Sequence, residues 1–137
     1  MAAKRILLVD DNAVVRSFLR KIFESQSDFE ISGEAENGRD AVDKAGTLKP
    51  DLIILDLTMP VMSGLDAAPL LKQLLPGTPI ILFTQHEGSE VERQAQAAGI
   101  DTVVSKTKAV SELVSKAHAL FPSMEQRLDP AKFRNAS

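Results

Sequence analysis

The sequence contains no cysteine, which excludes a disulfide framework and a thiolate metal site. Its N-terminal residues include no apolar run long enough for a secretory signal or a membrane span, so we expect a cytoplasmic protein that does not associate with membranes. It also lacks any large cluster of basic residues, and its formal net charge is −3. We therefore expect no direct binding of nucleic acid by this chain.

The pattern of the 137 residues is that of one globular α/β domain, with 44% hydrophobic content. Short apolar runs, which we predict to be strands, alternate with segments of helical period; the runs are residues 5–10, 29–35, 52–56, 79–84 and 102–106. Strict alternation predicts a doubly wound parallel sheet with right-handed crossovers and helices on both faces. We expect the sheet to be open, because a closed eight-unit barrel needs about 200 residues or more.

Apolar spacing and capping residues predict four of the helices. The first and the fifth have apolar residues on one face, namely Val15, Phe18, Leu19 and Ile22, and Val110, Leu113, Val114, Ala117 and Phe121. Asn37 is expected to cap the second helix, which runs through Leu48. Ser89 and Glu92 form a capping box that opens a polar fourth helix, and Gly99 is expected to end it.

Polar side chains stand at the carboxyl ends of the predicted strands. Asp10 and Asp11 follow the first, Asp56 the third and Thr84 the fourth, while Lys106 closes the fifth. In open parallel sheets, ligands bind at the carboxyl ends of the strands. We therefore predict that these five side chains converge on one site.

The charges of this site predict its chemistry. Three carboxylates in one crevice would raise each other's pKa unless a cation lay among them, and Mg²⁺ with oxygen ligands at roughly 2.0–2.1 Å answers that need. Asp56, ionised at the end of a rigid strand, can then attack a phosphoryl group. Lys106 and the Thr84 hydroxyl are available for the phosphoryl oxygens.

Four motifs in order and spacing resemble the receiver domain of two-component response regulators. They are "LLVDDN" (7–12), "LDLTMPVMSG" (55–64), the threonine that ends "IILFT" (80–84), and "AGID" (98–101) followed by "SK" (105–106). The resemblance covers about residues 4–121 and implies the CheY-like, flavodoxin-like fold, with five helices and strand order 2-1-3-4-5. We assign residues 1–122 to the receiver domain and 123–137 to a C-terminal tail or the start of a linker.

The resemblance also implies a role for each site residue. Asp11, Asp56 and the main-chain carbonyl of Thr58 would bind Mg²⁺ directly, and Asp10 would act on the metal largely through water. Asp56 would be the phosphoacceptor. The family's role is signalling rather than enzymatic turnover, although a receiver assists its own phosphorylation and dephosphorylation.

The implied phosphodonor is a phosphohistidine on a sensor histidine kinase or a phosphotransfer protein. On phosphorylation, Thr84 would shift toward the phosphoryl group and Lys106 would pair with it. The implied output is a change in the surface formed by the fourth helix, fifth strand and fifth helix, through which a homodimer could form.

Several residues depart from the family pattern. Val103 replaces the usual aromatic residue of the fifth strand, and Gln85 replaces a small residue, where it could crowd the approach to Asp56. Thr107 follows Lys106 where many members have proline, and we predict a trans peptide bond between these two residues because a cis bond costs about 2.5–4 kcal/mol.

Pro69 bears on where the third helix begins. A start at Ser63, as in the family, puts the proline in the second turn at a cost of about 3 kcal/mol. A later start with Asp66 as N-cap puts Pro69 among the first three helical positions, whose N–H groups lack partners anyway. We predict the later start.

Other interpretations remain open. Asp11 could cap the first helix together with Asn12, and Thr84 and Lys106 could be an ordinary strand residue and a surface lysine. His86 and His118 lack the spacing of a zinc site and are expected to be solvated or packed.

Two other classes of function also fit parts of the pattern. One is an interaction module that has lost phosphorylation, as the residues at 85 and 103 allow. The other is a phosphohydrolase with an aspartyl nucleophile, or a flavin protein of similar fold. Against it, Thr58 stands where a dehalogenase-type phosphatase needs a second acid, and no Gly/Ser/Thr-rich loop follows the first strand.

Overall fold

The computed structural model describes residues 3–122, so the tail predicted at 123–137 lies outside the described part of the chain. The strands are β1 (Lys4–Val9), β2 (Phe29–Ala35), β3 (Leu52–Leu55), β4 (Ile80–Thr84) and β5 (Thr102–Ser105). The helices are α1 (Ala13–Glu24), α2 (Gly38–Leu48), α3 (Gly64–Leu74), α4 (Ser89–Ala97) and α5 (Val110–Ala119). All strand pairs are parallel, in the order β2-β1-β3-β4-β5. The predicted CheY-like α/β fold is confirmed.

The sheet is covered on both faces, as the apolar run of β3 predicts. Leu52 and Ile54 pack with α1 and α5, whereas Ile53 and Leu55 pack with α2, α3 and α4. Side chains alternate between the faces of a strand, so a strand buried on both faces needs an apolar residue at every position. All four residues of β3 are at most 2% exposed.

The inner face of α1 differs from the prediction, because Phe18 is exposed, Ile22 is only partly buried and Phe23 joins the core. Leu19 and Phe23 are buried and Val15 packs against them, but Phe18 is 51% exposed. Successive residues of a helix are about 100° apart, so Phe18 points well away from the direction of Leu19. Phe23, one turn after Leu19, lies in the core instead.

The third helix begins earlier than predicted, because contacts with the residues that directly follow β3 fix its start. Ser63 is the N-cap, and its Oγ accepts a hydrogen bond from the Asp66 N–H at 3.2 Å. Gly64 donates its N–H to the Leu57 carbonyl at 2.8 Å, and a Cβ at Gly64 would collide with the Asp56 carbonyl. The prediction of Asp66 as N-cap is therefore wrong, and Pro69 lies inside the helix.

The capping predictions for α2 and α4 have different outcomes. Asn37 caps α2 by accepting from the Asp40 N–H at 2.8 Å, as predicted. The capping box at Ser89 is wrong, because Gly88, with φ +118°, is the N-cap of α4 and makes no side-chain bond. Gly99, with φ +89°, follows the end of α4 as predicted. No helix within residues 3–122 has the length and apolar character needed to cross a membrane.

Pro69 generates a stability prediction. Pro69→Ala should raise the free energy of unfolding by about 1–3 kcal/mol, because it restores an N–H donor to the helix and removes a clash with the preceding turn. Urea unfolding followed by circular dichroism measures the difference. The control is Pro76→Ala in the exposed segment after α3, which should leave stability unchanged or slightly lower. A Pro69→Ala variant no more stable than the parent would contradict the cost assigned to this proline.

Candidate functional site

The carboxyl ends of β1, β3, β4 and β5 meet at a pocket of about 270 Å³. The predicted convergence is confirmed, since all five strand-end residues and Thr58 line the pocket. The lining is Asp10, Asp11, Asn12, Val15, Asp56, Thr58, Thr84, Gln85, His86 and Lys106. Gln85 stands at the pocket, where it was expected to crowd the approach.

Asp56 is held rigidly at the end of β3. Its N–H donates to the Val9 carbonyl at 2.9 Å, which extends the pairing of β1 and β3 by one residue. Its Oδ1 accepts from the Leu57 N–H at 2.9 Å, and Lys106 Nζ lies 3.4 Å from the same oxygen. The residue is 7% exposed, so the carboxylate is largely withdrawn from water.

Asp10 is the second buried acid, at 4% exposed. Its Oδ1 accepts from the Asn12 N–H at 2.9 Å, and its Oδ2 accepts from Lys106 Nζ at 2.8 Å. Lys106 therefore lies between Asp10 and Asp56 and pairs with both. It is not the independent surface lysine of the alternative interpretation.

Asp11 is exposed and completes the group of acids. Carboxylate oxygens of Asp10, Asp11 and Asp56 all lie within 4.8 Å of one another. The N-cap of α1 is Asn12, whose Oδ1 accepts from two N–H groups of the first turn, so capping does not explain Asp11. Within residues 3–122 the Asp11 carboxylate makes no hydrogen bond or ion pair.

Burial and neighbouring charge set the ionisation of the site. Burial first, and then the charge of Asp10, raise the pKa of Asp56, although Lys106 and the Leu57 N–H act against them. Burial alone would lower the pKa of Lys106, but its bond to Asp10 and the charges of both acids raise it. Three carboxylates and one ammonium leave two negative charges in excess. A divalent cation that prefers oxygen ligands, such as Mg²⁺, fits this donor set.

Thr84 and His86 connect the pocket to the segment before α4. Thr84 is fully buried, and its Oγ1 accepts from the His86 N–H at 3.2 Å. His86 Nε2 lies 3.0 Å from Thr58 Oγ1, so a hydrogen bond joins the segments that follow β4 and β3. Sequence reasoning missed this bond. Their positions were the available signal, since Thr58 comes two residues after Asp56 and His86 two residues after Thr84, at the ends of neighbouring strands.

The other predictions near the site have clear outcomes. The bond between Lys106 and Thr107 is trans, as predicted. His118 has a packing role: its ring centroid lies 4.9 Å from that of Phe29, and its Nε2 lies 3.2 Å from Asp28 Oδ2. Val103 is partly buried against the core cluster that also contains Leu82.

Comparison with curated proteins finds relatives that are longer than this chain. One is the response regulator protein VraR of Staphylococcus saprophyticus, 38% identical over 110 residues, which are 80% of this chain and 52% of that protein. Another is protein-glutamate methylesterase/protein-glutamine glutaminase 1 of Methanosarcina mazei, 38% identical over 142 aligned positions, which are 95% of this chain and 40% of that protein. The chain thus spans about half or less of the length of these relatives.

A solved structure and a family model agree with these relatives. A two-component response regulator of the LuxR family from Aurantimonas is similar with a TM-score of 0.84 at 28% identity, over 93% of this chain and 100% of that one. The family model of the response regulator receiver domain matches residues 6–118. With the acids and the lysine at the carboxyl edge of a CheY-like sheet, this chain belongs to the response regulator receiver domain family.

Proposed function

We propose that this receiver domain accepts a phosphoryl group on Asp56 in a magnesium-dependent reaction and switches an output surface in response. The observation that supports it most is the buried Asp56 carboxylate, which faces a pocket shared with two other acids and Lys106. A receiver domain implies a partner histidine kinase. We propose that the immediate donor is a phosphohistidine on that kinase or on a phosphotransfer protein.

The geometry of Asp56 suggests which of its oxygens reacts. Oδ1 is occupied by the Leu57 N–H and Lys106, while Oδ2 has no bonding partner among the described residues. Oδ2 would attack phosphorus and form the P–O bond as the P–N bond of the donor breaks. The electron pair of that bond stays on the imidazole nitrogen, which takes a proton from water.

Lys106 and Thr84 are placed to stabilise the transferred group. Lys106 Nζ already lies between two acids, and it can contact a phosphoryl oxygen once Asp56 has become a neutral acyl group. The Thr84 oxygen accepts from His86, so its own proton remains available to donate to the phosphoryl group. Asp11, Asp56 and the Thr58 carbonyl would hold Mg²⁺, with Asp10 acting through water, and the ion would neutralise charge on the acids and on the transferred group.

We further propose that residues 1–122 form the receiver unit, which works in the cytoplasm.

We also propose a homodimer through α4, β5 and α5, which the grooves on that surface support. Two shallow grooves, of about 180 and 350 Å³, lie beside Val103 between α4 and α5. Val103 is smaller than the aromatic residue usual in the family, and it leaves open space in these grooves that an aromatic side chain would fill.

Two observations favour a switch over a module that has lost phosphorylation. Every strand-end residue of the proposed chemistry is in the pocket, and Lys106 is paired with the acids. Thr58 also argues against the aspartyl phosphohydrolase, because a dehalogenase-type phosphatase needs an acid at this position.

Phosphorylation itself is the first test. Incubation with acetyl phosphate and Mg²⁺ should add one phosphate to the intact mass, and the gain should be absent in Asp56→Asn or with a chelator. Asp43→Asn, on the exposed face of α2, is the matched control and should be phosphorylated like the parent. A phosphate retained by Asp56→Asn would sink the assignment.

The cost of the buried charge is the second test. Without divalent cations at neutral pH, Asp56→Asn should raise the free energy of unfolding by on the order of 1–2 kcal/mol, because it removes a charge that burial and Asp10 disfavour. Since the pKa of Asp56 is raised in the folded state, the folded protein binds this proton more tightly than the unfolded chain. The parent should therefore gain stability, and the advantage of the variant should shrink, as the pH falls toward the unfolded pKa.

Urea unfolding at neutral and mildly acidic pH in chelator measures this difference. Asp43→Asn should stay within about 0.5 kcal/mol of the parent, as exposed substitutions usually do. An Asp56→Asn variant that is less stable than the parent at neutral pH would show that this carboxylate stabilises the fold.

The route of the signal is the third test. A shift of Thr84 toward the phosphoryl group would break its bond to the His86 N–H and disturb the contact of His86 with Thr58. Val103 has too little volume and too few rotamers to transmit the change along β5. The helix that follows is loosely attached, since α4 starts without a side-chain cap and buries Ala95 alone of its described residues.

We therefore expect residues 85–92 and the rest of α4 to change most on phosphorylation. Amide hydrogen exchange and chemical shifts, measured with and without beryllofluoride and Mg²⁺, should show the largest differences there. Asp56→Asn under the same conditions is the control and should show none. Changes confined to α1 and α2 would mean that the output takes another route.

A further inference from the structure

Arg16 links α1 to the main chain that presents the acids. Its Nη1 donates to the Asp10 carbonyl at 2.6 Å, and its Nε donates to Glu34 Oε1 at 2.9 Å. The side chain is 15% exposed, so it is enclosed between α1 and the sheet. Arg16 does not line the pocket, and therefore it influences the site through Asp10 rather than by contact with a ligand.

The bond from Arg16 fixes a peptide plane at the point where the chain leaves the sheet. Strand β1 ends at Val9, and the last sheet bond on this side runs from the Asp10 N–H to the Ala35 carbonyl at 3.0 Å. The Asp10 carbonyl and the N–H of Asp11 belong to one rigid peptide unit. By holding that carbonyl, Arg16 sets the direction in which Asp11 leaves the strand.

Asp11 depends on this main-chain control because no residue between 3 and 122 holds its side chain. Its carboxylate makes no bond to the described residues, yet it lies within 4.8 Å of the carboxylates of Asp10 and Asp56. Repulsion among the three acids would turn an unrestrained Asp11 toward solvent. The Asn12 N–H bond to Asp10 Oδ1 restrains the chain on the far side of Asp11, and Arg16 restrains it on the near side.

Arg16 is itself held by Glu34, whose other carboxylate oxygen binds Arg20. Glu34 accepts from Arg16 at Oε1 and from Arg20 Nε at Oε2, the latter at 2.8 Å. Burial would raise the pKa of Glu34, but the bonds from Arg20 and Arg16 lower it, so Glu34 stays ionised. The planar guanidinium donates from two separate nitrogens in a fixed geometry, to a carbonyl and to a carboxylate, and the single ammonium of a lysine lacks this arrangement.

We propose that Arg16 is a positioning residue for metal binding, which holds the peptide between Asp10 and Asp11 so that Asp11 faces the pocket. The inference rests on the proposed magnesium-dependent function. This proposal predicts weaker Mg²⁺ binding when Arg16 is removed. If charge alone mattered, removing a cation near three acids should instead tighten the binding of Mg²⁺. Positioning and charge therefore predict changes of opposite sign.

The test is a Mg²⁺ titration of the full chain without a phosphodonor, followed through backbone amide resonances. Arg16→Gln should weaken Mg²⁺ binding roughly tenfold, at the lower end of the range for groups that orient metal ligands. Arg16→Lys keeps the charge and should also weaken Mg²⁺ binding. If Arg16→Gln does not fold, the Mg²⁺ affinity of Arg16→Lys alone tests the proposal. Both variants should shift the Asp11 amide resonance before metal is added.

Arg20→Gln is the matched control. It removes one positive charge that is paired with Glu34, as Arg16→Gln does, but it leaves the bond between Arg16 and Asp10. The Mg²⁺ affinity should therefore stay within about twofold of the parent or become tighter. In an Asp11→Asn background, Arg16→Gln should have little further effect, because its target is already lost.

The outcomes separate this inference from the function on which it rests. A parent protein that binds Mg²⁺ while Arg16→Gln and Arg16→Lys bind it equally well or more tightly would overturn the role of Arg16 alone. A parent protein that shows no Mg²⁺-dependent shifts at Asp11 or Asp56 would overturn the magnesium site itself and the inference with it.

Discussion

The carboxylates of Asp10 and Asp56 are forced together by the sheet, and the site depends on that constraint. Asp56 follows four residues that are covered on both faces, and its N–H is still paired with β1. Asp10 in turn is paired with the end of β2. Neither acid can move apart from the other without breaking strand pairing, so the repulsion between them has to be offset locally. Lys106 offsets part of it, and the excess negative charge is what makes the pocket suited to a divalent cation.

The sequence allowed the sheet to be predicted well because burial on both faces leaves a simple signature. β3 is apolar at every position and β4 at every position before Thr84, and parallel strands bring their carboxyl ends to one edge. The five strand-end residues could therefore be placed in one site before any geometry was known. Their charges and positions suggested a metal ion and an attacking Asp56, but the division of the metal ligands among Asp10, Asp11, Asp56 and Thr58 came only from the resemblance.

The errors arise where a contact distant in sequence outweighs a local preference. Local rules for Pro69 favour a late start of α3, but Gly64 packs on the backbone of Asp56 and Leu57 and fixes an earlier one. Ser89 resembles a cap, yet the left-handed conformation of Gly88 places it one residue inside the helix. The bond between His86 and Thr58 follows from no helix or turn preference, because it joins segments that follow different strands, and only the positions of the two residues after neighbouring strands could have indicated it.

The segment after Asp56 has geometry that helix and turn preferences alone would not select. Val61 has φ +69°, a left-handed conformation that is costly for a β-branched residue, and its side chain is 82% exposed. The Gly38 N–H holds this segment through the Met62 carbonyl at 3.0 Å, and Gly64 holds its other end. Such strain persists only when surrounding contacts fix it, and it is common beside functional sites. Thr58 lies in the same segment, where it lines the pocket and its hydroxyl meets His86, so the strained backbone lies directly beside the proposed site.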